Sequence, residues 1–175
     1  MADVVVRSTQ PALAAIKLAW WRERLEELDQ GKVPAEPRLQ DAARELLPRG
    51  ITGTSLAKLE DGWMALLEEV PEAGRVLDRG AVLFRLGTYL LKSEVDERTI
   101  GLAGKLYVVA DVRRRGLGEF QLPETGDLKV PRSARPLTSL AALAMRDLRR
   151  GQSLEPEATP GRAWTLLRHR LTGRI

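Results

Sequence analysis

Two short stretches of the sequence place an aspartate and an arginine four positions apart. In ADVRRRG these residues are Asp111 and Arg115, and in DVVVR they are Asp3 and Arg7. Two carboxylates at this spacing would share one helix face and could bind a hard cation such as Mg²⁺, which bridges to phosphate oxygens. Because an arginine occupies the second place in both stretches, the residues favour an ion pair within one helical turn, worth about 0.2 to 0.5 kcal/mol. A retained metal site is the alternative.

Arginines form clusters in the second half of the chain. Such clusters could bind the phosphates of a lipid, a prenyl diphosphate or RNA. No aromatic residues alternate with the arginines and no nucleic-acid-binding module is recognisable, so solvated helix faces are the simpler interpretation and nucleic acid is not an expected partner. The clusters are Arg113, Arg114 and Arg115, then Arg146, Arg149 and Arg150, and finally Arg162, Arg168, Arg170 and Arg174.

The composition excludes several kinds of site. The chain has no cysteine, which removes disulfides, thiolate metal ligands and cysteine nucleophiles. Its one histidine, His169, argues against a zinc site or a histidine-based triad. The 28 Lys and Arg residues exceed the 24 Asp and Glu residues by a net charge of only +4, which does not by itself indicate a nucleic-acid partner.

The length and hydropathy of the chain predict its organisation. With 175 residues, of which 43% are hydrophobic, we expect a single folded domain over residues 1–175. No segment has the run of about 18 apolar residues that spans a bilayer, and the first residues lack the order of a signal peptide. We therefore expect a cytoplasmic protein without a transmembrane segment, with peripheral attachment to a membrane as the alternative.

Apolar residues recur at helical spacing along the chain, and Pro, Gly and Thr mark the ends of about seven helices. The stretch LYVVADV would also suit a strand, but the helical patterns on both sides favour a helix. The expected fold is therefore all-α. The predicted helices span residues 11–29, 37–47, 54–71, 72–91, 95–114 and 136–151, and a seventh begins at residue 160.

Aromatic residues and glycines predict where the helices pack. Trp20 and Trp21 are adjacent and point to different sides of one helix, so we interpret them as core anchors, with a wall for a long apolar ligand as the alternative. Trp164 is also expected in the core. Gly80 and Gly87 lie inside a predicted helix, where they would let a neighbouring helix approach closely.

Three stretches resemble the squalene and phytoene synthase family, especially its short, divergent bacterial members. In those members a helix with RLAWWR is followed by a loop rich in Gly and Pro, and then by a helix that opens with HPV or EPR. The most specific part here is LAWWRERLEEL, and the resemblance covers nearly the whole chain. The stretches are PALAAIKLAWWRERLEELDQGKVPAEPRLQDAARELL at residues 11–47, LLPRGITGTSLAKLEDGWMALLEE at 46–69 and RPLTSLAALAMRDLRRG at 135–151.

The resemblance implies an isoprenoid-synthase-like helical bundle whose active members join two prenyl diphosphates head to head. Those members bind magnesium and the diphosphates with two motifs that have aspartates at the first and fifth positions. Asp111 matches the first aspartate of the second motif, and GEFQLP at residues 118–123 is similar to the GRVYLP that follows it in the family. Arg115 replaces the second aspartate. Asp3 is all that matches the first motif, and the helix expected before it is missing, so we expect an N-terminally short bundle.

The replacement of acids by arginines favours a protein that does not catalyse prenyl transfer, because too little negative charge is left to hold a magnesium cluster. We therefore expect a lipid- or protein-binding helical scaffold, similar to the complex I assembly factor subgroup of the family, with no cofactor.

The alternative is a magnesium-dependent prenyl transferase of isoprenoid biosynthesis. Asp111 and Asp3 would then bind the metal, and Arg113 and Arg114 would hold the diphosphate. A third class of function is a basic helical module for RNA or an anionic membrane, whose binding would weaken steeply with salt. Acids that could rebuild one metal site in the transferase are Glu119, Glu124 and Asp127.

Overall fold

The computed structural model describes residues 1–122, 124–151 and 155–175, and in these ranges the fold is all-α, as the sequence predicts. Two compact units divide the chain, a first unit of Met1–Arg79 and a second unit of Gly80–Ile175. The single domain expected from the length stays a prediction. The helices are α1 (Ala2–Val6), α2 (Pro11–Leu28), α3 (Pro37–Glu45), α4 (Gly53–Ala57), α5 (Asp61–Met64), α6 (Ala73–Leu90), α7 (Glu97–Arg114), α8 (Arg135–Arg149) and α9 (Pro160–Thr172).

Most predicted helix ends are confirmed to within two residues, because they depend on local chemistry. Pro37 occupies the first turn of α3, where its missing N–H costs nothing, and Pro160 does the same in α9. The Thr159 side chain accepts a hydrogen bond from the Arg162 N–H and caps α9. None of the helices in the described ranges combines the length and the hydropathy that crossing a bilayer requires.

The third predicted helix, residues 54–71, is wrong, since the chain breaks there into α4, α5 and a 3₁₀ turn at Ala65–Leu67. Packing within the first unit explains the break. A side chain on Gly62 would place its Cβ 2.5 Å from the Arg79 Cβ. Only glycine therefore fits where the backbone at position 62 approaches Arg79. The carboxylate of Asp29 accepts hydrogen bonds from the N–H groups of Gly53 and Thr54, which places the start of α4 against the end of α2.

Helix α2 buries one apolar stripe and leaves another exposed. Leu18, Leu25 and Leu28 lie in the core of the first unit, as their spacing predicts. Ile16 and Trp20 are 67% and 40% exposed. The interpretation of Trp20 as a core anchor is therefore wrong.

Helices α6 and α7 approach each other closely in the second unit. A Cβ on Gly104 would lie 2.0 Å from the Gly80 carbonyl oxygen, and one on Gly80 would lie 2.1 Å from the Gly104 carbonyl oxygen. The two glycines thus permit backbone-to-backbone contact, which confirms the interpretation of Gly80. Phe84 of α6 and Ala103 of α7 continue this core.

Helix α8 packs against both α7 and α9. His169 lies on the inner face of α9 and is 1% exposed. Its Nδ1 donates to the Arg174 carbonyl at 2.9 Å, and its Nε2 lies 3.0 Å from the Thr138 hydroxyl on α8. The single histidine therefore connects α9 to α8 and to the residues that follow α9. Trp164, expected in the core, lies on the outer face of α9, so that expectation is wrong.

Candidate functional site

Asp111 lies in the last turn of α7, and Arg115 follows the helix as its C-cap residue. The Arg115 Nε donates to the Asp111 Oδ1 at 2.8 Å, so the i and i+4 spacing produces the ion pair that the sequence favours. Asp3 lies in α1 of the first unit and is exposed, and Arg7 ends that helix.

The donor set at Asp111 does not fit a magnesium cluster. Magnesium needs several oxygen ligands at octahedral positions, whereas the Asp111 carboxylate is engaged by a guanidinium, and three arginines follow at positions 113–115. In the described ranges, no three His, Asp or Glu side chains converge closely enough to hold a metal ion. The assignment of Asp111 and Asp3 as remnants of metal motifs stays a prediction. Of GEFQLP, Pro123 lies outside the described residues.

Arg114 belongs to a buried ion-pair network that joins three helices. Both its Nε and its Nη2 donate to the Asp147 Oδ2 on α8, at 3.0 and 2.7 Å. The other Asp147 oxygen accepts from the Arg162 Nη1 on α9 at 2.6 Å. The Asp147 side chain is only 5% exposed. Arg114 therefore connects α7 to α8, and its guanidinium already forms an ion pair with the Asp147 carboxylate. Its neighbour Arg113 donates to the Gly151 carbonyl.

Glu155 is the second carboxylate of this arginine-rich region. Its Oε2 accepts from the Arg146 Nε at 2.6 Å, and its Oε1 accepts from the Arg146 Nη2 at 3.1 Å and from the Thr159 hydroxyl at 2.6 Å. The hydrogen bonds from Arg146, followed by that from Thr159, lower the pKa of Glu155 to about 2. Sequence reasoning missed both Asp147 and Glu155, although Asp147 stands between arginines in MRDLRR.

The lowered pKa of Glu155 predicts an acid-sensitive contribution to stability. Because the folded state binds this proton more weakly than the unfolded chain, the contribution is complete above pH 4.5 and disappears as the pH falls to about 2. We expect Glu155→Gln to be less stable than the natural chain at pH 6, with the two free energies of unfolding converging toward pH 2. Urea denaturation at several pH values measures this. The exposed Glu157→Gln is the control, and the same convergence in that variant would contradict the prediction.

A cleft of about 680 Å³ opens along one side of α9, between α9 and the beginning of α8. Its lining combines two kinds of side chain. Cationic groups come from Arg132, Arg135 and Arg170, and apolar groups come from Leu166 and Leu171. The Arg135 Nη1 donates to the Arg170 carbonyl at 2.7 Å, which holds this guanidinium at the edge of α9. Such a cleft can bind a ligand that has an anionic headgroup, through the arginines, and a hydrocarbon tail, through the leucines.

A smaller cleft of about 220 Å³ lies on the other side of α9, and five arginines contribute to its lining. Arg146 and Arg150 are shared with Glu155, and Arg174 lies 3.9 Å from Asp127. The remaining cations of this cleft are Arg149 and Arg168.

The tryptophans of α2 border an apolar groove in the first unit. The groove has a volume of about 470 Å³ and is lined by Val4 of α1 and by Ile16, Lys17, Trp20 and Trp21 of α2. The rings of Trp20 and Trp21 meet edge to face, with centroids 5.2 Å apart. The exposed side chains of Ile16 and Trp20 therefore line this groove.

No protein-family model, curated protein or solved structure matches this chain. The resemblance to squalene and phytoene synthases therefore stays a prediction. The same holds for Arg113 and Arg114 as ligands of a diphosphate.

Proposed function

We propose that this chain is a squalene/phytoene synthase-like helical scaffold that binds a phosphorylated isoprenoid or a related phospholipid and does not transfer prenyl groups. The observation that carries the proposal is the cleft beside α9. Its three arginines can donate charge-assisted hydrogen bonds to a phosphate group. Its two leucines offer apolar surface to the hydrocarbon part of the same ligand.

The proposal places phosphate recognition on arginine side chains rather than on a metal. Arginine is suited to this role because its planar guanidinium stays charged and offers paired donors to phosphate oxygens. The ion pair between Asp111 and Arg115 supports the same view, since it engages the carboxylate that would otherwise be the first ligand of a magnesium ion.

Calorimetry of farnesyl and geranylgeranyl diphosphate binding tests the proposal. We expect binding that is unchanged by magnesium or by a chelator, and that is retained by Asp111→Ala. The double variant Arg132→Gln with Arg170→Gln should weaken binding by about tenfold or more, because each lost charge-assisted hydrogen bond contributes roughly 1.5 to 3 kcal/mol.

The control is Arg38→Gln with Arg49→Gln, two exposed arginines of the first unit that change the net charge equally. Equal loss of affinity in this control would show that bulk charge, and not the cleft, binds the ligand. Binding that requires magnesium, with turnover and dependence on Asp111, would instead support the prenyl transferase. In that case Glu119, Glu124 and Asp127 would be the next residues to replace.

A further inference from the structure

Helix α9 carries an apolar stripe on the face that points away from α8. Trp164, Leu167 and Leu171 are 65%, 46% and 69% exposed, and their spacing of three and four residues places them along one line of the helix. The opposite face carries the buried His169, which contacts α8. The inner face of α9 is therefore covered by α8, whereas its apolar stripe is exposed in this structure.

Arginines flank the exposed stripe on both sides. With successive residues turned by about 100° around a helix, Arg168 lies on one side of the line through Trp164 and Leu171, and Arg170 lies on the other. Each of these arginines also lines one of the two clefts beside α9. An apolar stripe bordered by cations is the arrangement of helices that lie in the plane of a membrane interface, where tryptophan is the preferred aromatic residue.

The net charge of the second unit indicates which partner could cover the exposed face of α9. That unit has 17 Lys and Arg residues against 10 Asp and Glu, whereas the first unit has 11 against 14. If a second copy of the chain docked face to face through α9, Arg168 and Arg170 of the two copies would lie close together and repel each other. An anionic bilayer offers both an apolar interior for the stripe and phosphates for the arginines.

The geometry points to α9 as a membrane-docking helix that lies flat on an anionic phospholipid surface. Trp164, Leu167 and Leu171 enter the boundary between headgroups and acyl chains, while Arg168 and Arg170 reach the lipid phosphates at the two sides. This surface shares Arg170 and Leu171 with the ligand cleft, whereas Trp164, Leu167 and Arg168 do not line that cleft.

Vesicle sedimentation with the full chain tests the inference. We expect binding to vesicles in which about a third of the phosphatidylcholine is replaced by phosphatidylglycerol, and about tenfold weaker binding to phosphatidylcholine alone. Tryptophan emission should shift to the blue on binding, and Trp164→Phe should remove most of this shift. Trp164→Ser with Leu167→Ser should abolish binding, and Arg168→Gln should weaken it by about fivefold.

The matched control is Leu13→Ser with Val70→Ser, two exposed apolar residues of the first unit, which should bind vesicles like the natural chain. Three outcomes would overturn the inference: no preference for anionic vesicles, equal binding by the Trp164 and Leu167 variant, or binding without a change in Trp164 emission. Self-association that this variant abolishes, measured by light scattering without lipid, would assign the stripe to a second copy instead. The variants at Trp164, Leu167 and Arg168 should not change the affinity for soluble diphosphates measured by calorimetry, because these residues do not line the ligand cleft. The two experiments therefore test the two proposals independently.

Discussion

Gly104→Ala is expected to lower the free energy of unfolding by about 3 kcal/mol or more, the upper end of the cost of overpacking a core. The added methyl group would lie 2.0 Å from the Gly80 carbonyl oxygen and 2.9 Å from the Ala81 nitrogen. Both neighbours are backbone atoms, so they cannot rotate away as a side chain could, and α6 and α7 must separate. Urea denaturation followed by the helical circular dichroism signal measures the loss.

Gly101→Ala is the matched control for this prediction, since it makes the same change on the same helix. Its Cβ would be 3.8 Å from the nearest atom, the Ala81 methyl group, which is an ordinary contact. Alanine also favours a helix over glycine by about 1 kcal/mol, so this variant should be as stable as the natural chain or more stable. Equal stabilities for the two variants would show that α6 and α7 do not need the close contact between Gly80 and Gly104.

Asp147→Asn is expected to lower the free energy of unfolding by about 3 to 5 kcal/mol, the cost of breaking a buried ion pair from one side. The carboxylate is the shared acceptor of Arg114 and Arg162, which come from α7 and α9. Asparagine has nearly the same shape but no charge, so it leaves two guanidiniums in a largely covered place without their counterion. Thermal and urea denaturation at neutral pH measure the effect.

The control for this variant is Asp127→Asn, which removes an exposed carboxylate 3.9 Å from Arg174. Exposed pairs contribute about 0 to 1 kcal/mol, so its stability should stay close to that of the natural chain. The single variant Arg162→Gln and the double variant Asp147→Asn with Arg162→Gln complete a double-mutant cycle. A coupling energy near zero between Asp147 and Arg162 would contradict the role assigned to the network.

The sequence could predict those ion pairs of the candidate site whose two residues lie on the same helix. Asp111 and Arg115 stand four residues apart at the end of α7, a spacing that places two side chains on the same face of a helix, so the sequence could predict their pairing. Asp147 and Glu155 were not found in this way. The partners of Asp147 are 33 residues before it and 15 residues after it, and only the packing of α7, α8 and α9 brings them together.

By itself, the sequence determined the all-α class and most helix ends, because proline, threonine caps and the 3.6-residue period act within a single turn. The spacing of Trp164, Leu167 and Leu171 also places these three residues along one stripe of a helix. Only the tertiary structure decided that this stripe is exposed and that the face with His169 is buried. The physical reason is that periodicity reveals an apolar face, whereas covering it requires a partner surface from elsewhere in the chain.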